Sequence, residues 1–192
     1  MVAAAGNSGA SDASADTVLY PARYASVVAV AATDRYDVRP SWSSTGPGVE
    51  LAAPGVSVYS TYLNGAYSYK SGTSMACPHV AGVAALVYAS EMVSDIDFDG
   101  DGVWDLGEVR RRLTETARDL GASGVDNTYG YGLVDALSAV KSGGASPVPE
   151  PSVTDLAVIK VVESGPYVDV TDYLRDIVRK DLEARGIDLE NP

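Results

Sequence analysis

Gly72-Thr73-Ser74-Met75-Ala76-Cys77-Pro78-His79-Val80-Ala81-Gly82 is a small-residue turn that runs straight into an apolar helix. A Gly before the Ser lets the backbone turn sharply and lets another backbone approach closely. The helix that follows points its unpaired N–H groups at whatever lies beside the Ser oxygen. An acyl-transfer transition state places negative charge on the former carbonyl oxygen, and a free N–H at a helix N-terminus stabilises charge there. Ser74 is therefore the candidate nucleophile. Taken alone, a Ser before an apolar run is most often a helix N-cap.

Outward from this turn, residues 2 to 6 and Ser26 to Ala32 are short apolar runs bounded by Gly, Ser and Asp, the pattern of strands buried on both faces. Trp42 to Ala66 reads as turns and short strands, and Val80 to Met92 as a helix so uniformly apolar that it should be buried all round. Glu108 to Ala117 is a second, amphipathic helix with Val109, Leu113 and Ala117 on one face and Arg110, Arg111 and Arg112 on the solvated side. These elements predict an α/β chain. Ser142 to Ser152 is a linker by composition. Beyond it, at 153–192, Thr154 to Glu163 reads as a strand and Asp172 to Arg185 as an amphipathic helix, an appendage that carries no functional motif.

The series of landmarks resembles the subtilisin-like serine proteases. Gly72 to Gly82 looks like the family's serine motif, Val2-Ala3-Ala4-Ala5-Gly6-Asn7-Ser8-Gly9 like its oxyanion-asparagine strand, and Tyr20-Pro21-Ala22-Arg23-Tyr24 like its substrate-side loop. Ser41-Trp42-Ser43-Ser44 is similar to a segment that supports the substrate cleft. Ala53-Pro54-Gly55 and Tyr129 to Ala136 complete the order. The resemblance covers about residues 1–141 and implies a partial three-layer subtilisin-like fold with a mostly parallel sheet, the C-terminal half of the catalytic domain.

The resemblance further implies that Ser74 is the nucleophile and that the Asn7 amide and the Ser74 N–H form the oxyanion hole. Ala4 and Gly6 would form one wall of the pocket for the residue preceding the cut. Leu19, two residues before Pro21, would form its base, a bulky one that favours small or medium apolar side chains. It also implies polypeptide substrates, an extracellular location and a cis peptide at Tyr20-Pro21.

The family's Asp and His precede the oxyanion strand, and here that strand begins at residue 2. The sole histidine, His79, lies five residues after Ser74 on the same helix, about 140° around and ~7.5 Å along the axis. It reads as a helix histidine that packs behind the site. The general base is thus expected from a missing N-terminal half, and this chain alone is expected to be inactive. A non-catalytic calcium-binding or protein-binding module on the same scaffold is the alternative.

Composition narrows the partners. The 192 residues carry a net charge of −12, with 26 acidic residues against 14 basic, which argues against nucleic acid. An Asp-rich, Lys-poor surface suits strong salt or cation binding, and equally a merely acidic secreted protein. No window approaches the ~18 uninterrupted apolar residues of a membrane span, and no signal peptide is read at the start. Cys77 is the lone cysteine, so no disulfide forms within the chain, and it reads as a small buried apolar side chain.

Asp97-Phe98-Asp99-Gly100-Asp101-Gly102-Val103-Trp104-Asp105-Leu106-Gly107-Glu108 fits the D-x-D-x-D-G-x₅-E calcium loop at every specified position. Asp97, Asp99 and Asp101 supply oxygens at positions 1, 3 and 5, and Gly102 permits the sharp turn. The Val103 carbonyl supplies position 7, Asp105 contributes through a water, and Glu108 closes the shell bidentately. The expected order is an apolar helix entering the loop and Glu108 opening the next helix. A second site is implied only by the resemblance, from the carbonyls of Ala22, Tyr24 and Val27 with Asp34.

Overall fold

The computed structural model describes residues 1–141; the linker and the strand and helix expected at 142–192 lie outside the described residues. Three parallel strands form the central sheet in the order β1-β2-β3: β1 (Val2–Ala4), β2 (Val28–Thr33) and β3 (Val49–Pro54). Every residue of β2 is buried, as its unbroken apolar run predicts for a strand flanked on both sides.

Side chains alternate across a strand, so the sheet sorts one sequence into two cores. Val28, Val30 and Ala32 join Leu51 and Ala53 on the face packed by helix α1 (Thr73–Tyr88), with α2 (Leu106–Glu115) and α3 (Ala136–Val140) behind it. Ala29 and Ala31 join Ala5, Val18, Ala22 and Ala52 on the other face, which loops and Tyr129 cover among the described residues. The α/β class with a parallel sheet is as expected.

A hairpin, β4 (Val58–Thr61) and β5 (Tyr67–Lys70), leads from β3 into α1. Its base is pinned to the turn that follows: Gly72 N–H donates to the Gly55 carbonyl at 2.8 Å, and Ser57 N–H to Ser71 Oγ at 2.9 Å.

Three expectations need correction. Helix α1 starts at Thr73 rather than Val80, and it accommodates Pro78, whose missing N–H leaves the Ser74 carbonyl without its usual helical donor. Nor is α1 buried all round. Thr73, Ala76, Val80, Val83 and Val87 face the sheet, while Leu86 and Tyr88 are more than half exposed. A helix packed on one side buries one stripe whatever its opposite face is made of.

Of the arginines of α2, Arg111 is exposed as expected, but Arg110 and Arg112 are not part of a solvated face. Arg110 grips both Glu50 carboxylate oxygens at 2.6 Å and donates to the Ala25 carbonyl at 2.9 Å. Arg112 donates to the Ser138 and Ala139 carbonyls and to that of Lys141, at the C-terminal end of α3. Arg111 pairs with Glu115 and lies over the Phe98 ring. Helix α3 itself, unforeseen where the Tyr129–Ala136 landmark ends, is capped by Asp135, whose carboxylate accepts from Ser138 N–H at 2.9 Å and from its hydroxyl at 3.0 Å.

Candidate active site

Ser74 sits at the second position of α1, exposed, directly after the turn that the hairpin delivers. The first amides of a helix have no partner inside it. Here the Thr73 N–H goes to Asn7 Oδ1 and the Met75 N–H to the Gly72 carbonyl, which leaves the Ser74 N–H unpaired among the described residues. It is the amide expected to face an oxyanion.

Asn7 arrives from the end of β1. Its Oδ1 accepts from the Thr73 N–H and from the Thr73 hydroxyl, each at 3.0 Å. A backbone N–H can only donate, so this contact fixes the amide: the oxygen faces Thr73 and the NH₂ group turns away. That NH₂ lies beside Gly72, where an added Cβ would stand 3.4 Å from Asn7 Nδ2. The Gly6 N–H donates in turn to Thr73 Oγ1 at 3.1 Å. One buried hydroxyl thus ties the oxyanion strand to the nucleophile helix.

Thr73 stood inside the quoted motif, but its role is legible only in the structure. The same holds for two serines of the Ser41–Ser44 segment. Ser44 donates its N–H to the Gly6 carbonyl at 2.9 Å and accepts from the Ser8 N–H at 3.2 Å, and Ser43 Oγ accepts from Ala32 N–H at 2.9 Å. The segment therefore braces the loop that carries Asn7.

Gly6, Asn7 and Leu19 are brought together. Gly6 has φ +117°, and a Cβ there would meet Leu19 Cδ1, Leu19 Cγ and Ser44 Oγ at 2.9 Å each, so only glycine fits between them. The Leu19 N–H donates to the Ala5 carbonyl at 2.9 Å, while its side chain stays half exposed. Ala4 closes β1 just before this point, half-buried. The Tyr20-Pro21 peptide is cis.

His79 does not pack behind the site. It is exposed, and its Nδ1 lies 2.8 Å from the Met75 carbonyl one turn back on its own helix. Cys77 is half-buried rather than buried, and burial pushes its thiol above the ordinary value, away from thiolate. A cleft of about 790 Å³ is lined by Tyr24, Glu50, Arg110 and Tyr131, but neither Asn7, Leu19 nor Ser74 lines it.

The subtilase family (peptidase S8) matches residues 1–132. The chain belongs to this family of serine peptidases. Subtilisin BL and Subtilisin Savinase of Lederbergia lenta are each 45% identical to it over 141 residues, 73% of this chain and 46% of each relative. Subtilisin DY of Bacillus licheniformis is 46% identical over the same length and shares. The chain spans about half the length of the curated relatives it matches. No helix among the described residues is long and apolar enough to cross a membrane.

In the acidic loop, carboxylate oxygens of Asp97, Asp99 and Glu108 lie within 4.8 Å of one another. That spacing fits a single shell of about 2.4 Å radius, the ordinary Ca–O distance. Gly102, at φ +73°, makes the left-handed turn that position 6 of such a loop requires. Asp97 accepts from Gly100 and Gly102 N–H, and Asp99 from Asp101 N–H. Asp101 and Asp105 are not drawn into the cluster: Asp101 accepts from Val103 N–H and Asp105 caps α2 in a capping box with Glu108.

Glu108 is almost fully buried, its two oxygens accepting from the Phe98 and Asp105 N–H groups. At Asp99 the Asp101 N–H lowers the pKa, but desolvation and the charges of Asp101, Glu108 and Asp97 outweigh it and raise the value overall. No helix runs directly into the loop, since α1 ends at Tyr88; Val93 and Ile96 anchor the approach instead. The buried Trp104 donates its indole N–H to the Ser90 carbonyl at 3.0 Å and so ties the loop to the end of α1. At the other candidate site, Asp34 already accepts from Tyr36 and Val38 N–H, and the Tyr24 carbonyl from Val27 N–H.

Proposed function

We propose that this chain supplies the nucleophile and the oxyanion hole of a serine endopeptidase. Ser74 attacks the scissile carbonyl and forms an acyl-enzyme, which water then hydrolyses. The Asn7 NH₂ and the Ser74 N–H stabilise the oxyanion, and losing one such donor typically costs ~10²–10³ in turnover. The observation that carries the proposal is the Thr73–Asn7 contact, which orients the asparagine amide with its NH₂ group away from Thr73 and beside the nucleophile turn.

The proton from Ser74 needs a base, and the chain's one histidine is engaged elsewhere. The Asp and His come from the N-terminal half of a subtilase catalytic domain, a partner this chain requires. Substrates are polypeptides in an extracellular setting, and Leu19, lying against Gly6, would make the pocket before the cut shallow and suited to small or medium apolar side chains.

The proposal extends to a structural calcium ion in the acidic loop. Asp97, Asp99, Asp101, Glu108 and the Val103 carbonyl would hold it directly and Asp105 through water. Bound there, the ion neutralises carboxylates that otherwise repel each other and fixes the loop between α1 and α2.

Joining the chain to a subtilase segment that carries the Asp and His tests the enzyme. Hydrolysis of a chromogenic peptide that is lost in Ser74→Ala supports it. Calcium-dependent folding without hydrolysis favours instead a binding module on the same scaffold.

A further inference from the structure

Lys70 closes β5 four residues before Ser74. Four residues of extended chain span at most about 14 Å, so its ammonium lies within reach of substrate side chains up to about four residues from the bond at Ser74. It is exposed, and none of the four ion pairs among the described residues includes it. Its Nζ is held instead over the Tyr62 ring, 4.5 Å from the centroid. An aromatic face positions a cation without neutralising it.

The surroundings add a charge pattern. Residues 51–90, which hold the hairpin, the nucleophile turn and all of α1, contain none of the chain's 26 carboxylates. A net charge of −12 opposes binding of an acidic polypeptide overall. The stretch that carries Ser74 adds nothing to that repulsion, and Lys70 is the cation it contributes.

We propose that Lys70, positioned by Tyr62, selects substrate segments carrying Asp or Glu within about four residues of the bond cleaved at Ser74. The substrate class is thus acidic polypeptide. This rests on Ser74 as the reacting centre, so the test reads binding rather than hydrolysis.

Fluorescein-labelled 12-residue peptides of alternating Glu and Ala, and of alternating Lys and Ala, are titrated against the 192-residue chain by anisotropy at low salt. The Glu peptide should bind more tightly than expected for a −12 chain, and Lys70→Glu should weaken it about three- to tenfold. Lys70→Arg should keep the affinity. Arg35→Glu, the same charge change at another exposed cation that rests on Tyr36, should change it little. The Lys70 effect should shrink as salt shortens the Debye length. Anisotropy reads binding without turnover, so its outcome is separate from that of the nucleophile assignment, which hydrolysis and its loss in Ser74→Ala read. Absent binding of the Glu peptide, or equal loss in the Lys70 and Arg35 variants, overturns the proposal.

Discussion

Asn7 Oδ1 accepts two hydrogen bonds from Thr73, one from its backbone N–H and one from its hydroxyl, each 3.0 Å long. The hydroxyl also accepts from the Gly6 N–H, so it uses its donor and acceptor capacity on the strand that presents Asn7. Thr73→Val keeps the shape and removes both contacts. In the complete enzyme it should lower kcat about tenfold with little change in KM, because a loosened oxyanion donor acts on the transition state. Thr73→Ser should restore most of the rate. A fall in KM-linked binding alone, with kcat intact, would count against the role assigned to this hydroxyl.

Calcium removal should loosen the loop between α1 and α2. At a calcium concentration about 100-fold above Kd the ion adds ~2.7 kcal/mol, so EDTA should lower Tm by roughly 5–10 °C, and calcium should reverse this where magnesium does not. Trp104 emission reports the change locally, since its indole N–H bonds Ser90 beside the loop. The Asp97→Ala, Glu108→Ala double variant will be less stable even without metal, because Glu108 also completes the capping box of α2. The decisive quantity is therefore the calcium dependence of Tm, which should vanish. An unchanged dependence would place the ion elsewhere.

Arg110 joins α2 to β3 through a two-pronged contact with Glu50, whose side chain is 11% exposed, and the pairing raises the guanidinium pKa. Removing the cation leaves a largely buried carboxylate unpaired. The arginine itself is 38% exposed, so the cost is discounted from the buried-pair range to about 1–3 kcal/mol for Arg110→Ala. Arg110→Lys should recover only part, because an ammonium cannot match both oxygens. Urea unfolding of the two variants, with Glu50→Gln to close the cycle, checks the coupling. Additive losses would show that the pair contributes nothing of its own.

Asp135 caps α3, and the Ser138 N–H that it accepts holds its carboxyl below the usual value. A depressed carboxyl contributes stability that is present above the unfolded pKa and lost as pH falls through the folded one. Asp135→Ala should therefore cost about 1 kcal/mol at neutral pH. The gap between variant and parent should begin to narrow below about pH 4, the unfolded carboxyl's range, and close as pH falls through the lower folded value. Thermal melts from pH 7 to 3 measure it, and a gap independent of pH would exclude a charged cap.

The strand Val28–Thr33 was legible because an unbroken apolar run bounded by turn residues has few other solutions. Ser74, Asn7 and Leu19 were singled out because the landmarks around them stand in the family's order, and the structure sets Thr73 against Asn7 and Leu19 against Gly6. Arg110 was not, since its partners Glu50 and Ala25 lie 60 and 85 residues away and leave no trace in local periodicity. The exposed face of α1 was hidden for a related reason. Sequence periodicity marks a buried stripe only when the other side is polar, and α1 is apolar on both. Thr73 and Ser44 were hidden because a small hydroxyl residue looks the same whether it bridges two strands or faces solvent. Thr33 keeps a buried hydroxyl with no partner among the described residues, and nothing in the structure accounts for it.

As proposed, Ser74 is a nucleophile whose base comes from outside this chain. A fluorophosphonate probe, mapped by mass spectrometry, tests it directly. The chain alone should remain unlabelled at Ser74, because a serine without a positioned imidazole is an ordinary alcohol. Joined to a subtilase segment that supplies Asp and His, it should carry the label on the peptide containing Ser74 and lose it in Ser74→Ala. Labelling of Ser74 in the chain alone, or labelling of another serine in the joined protein, would contradict the account.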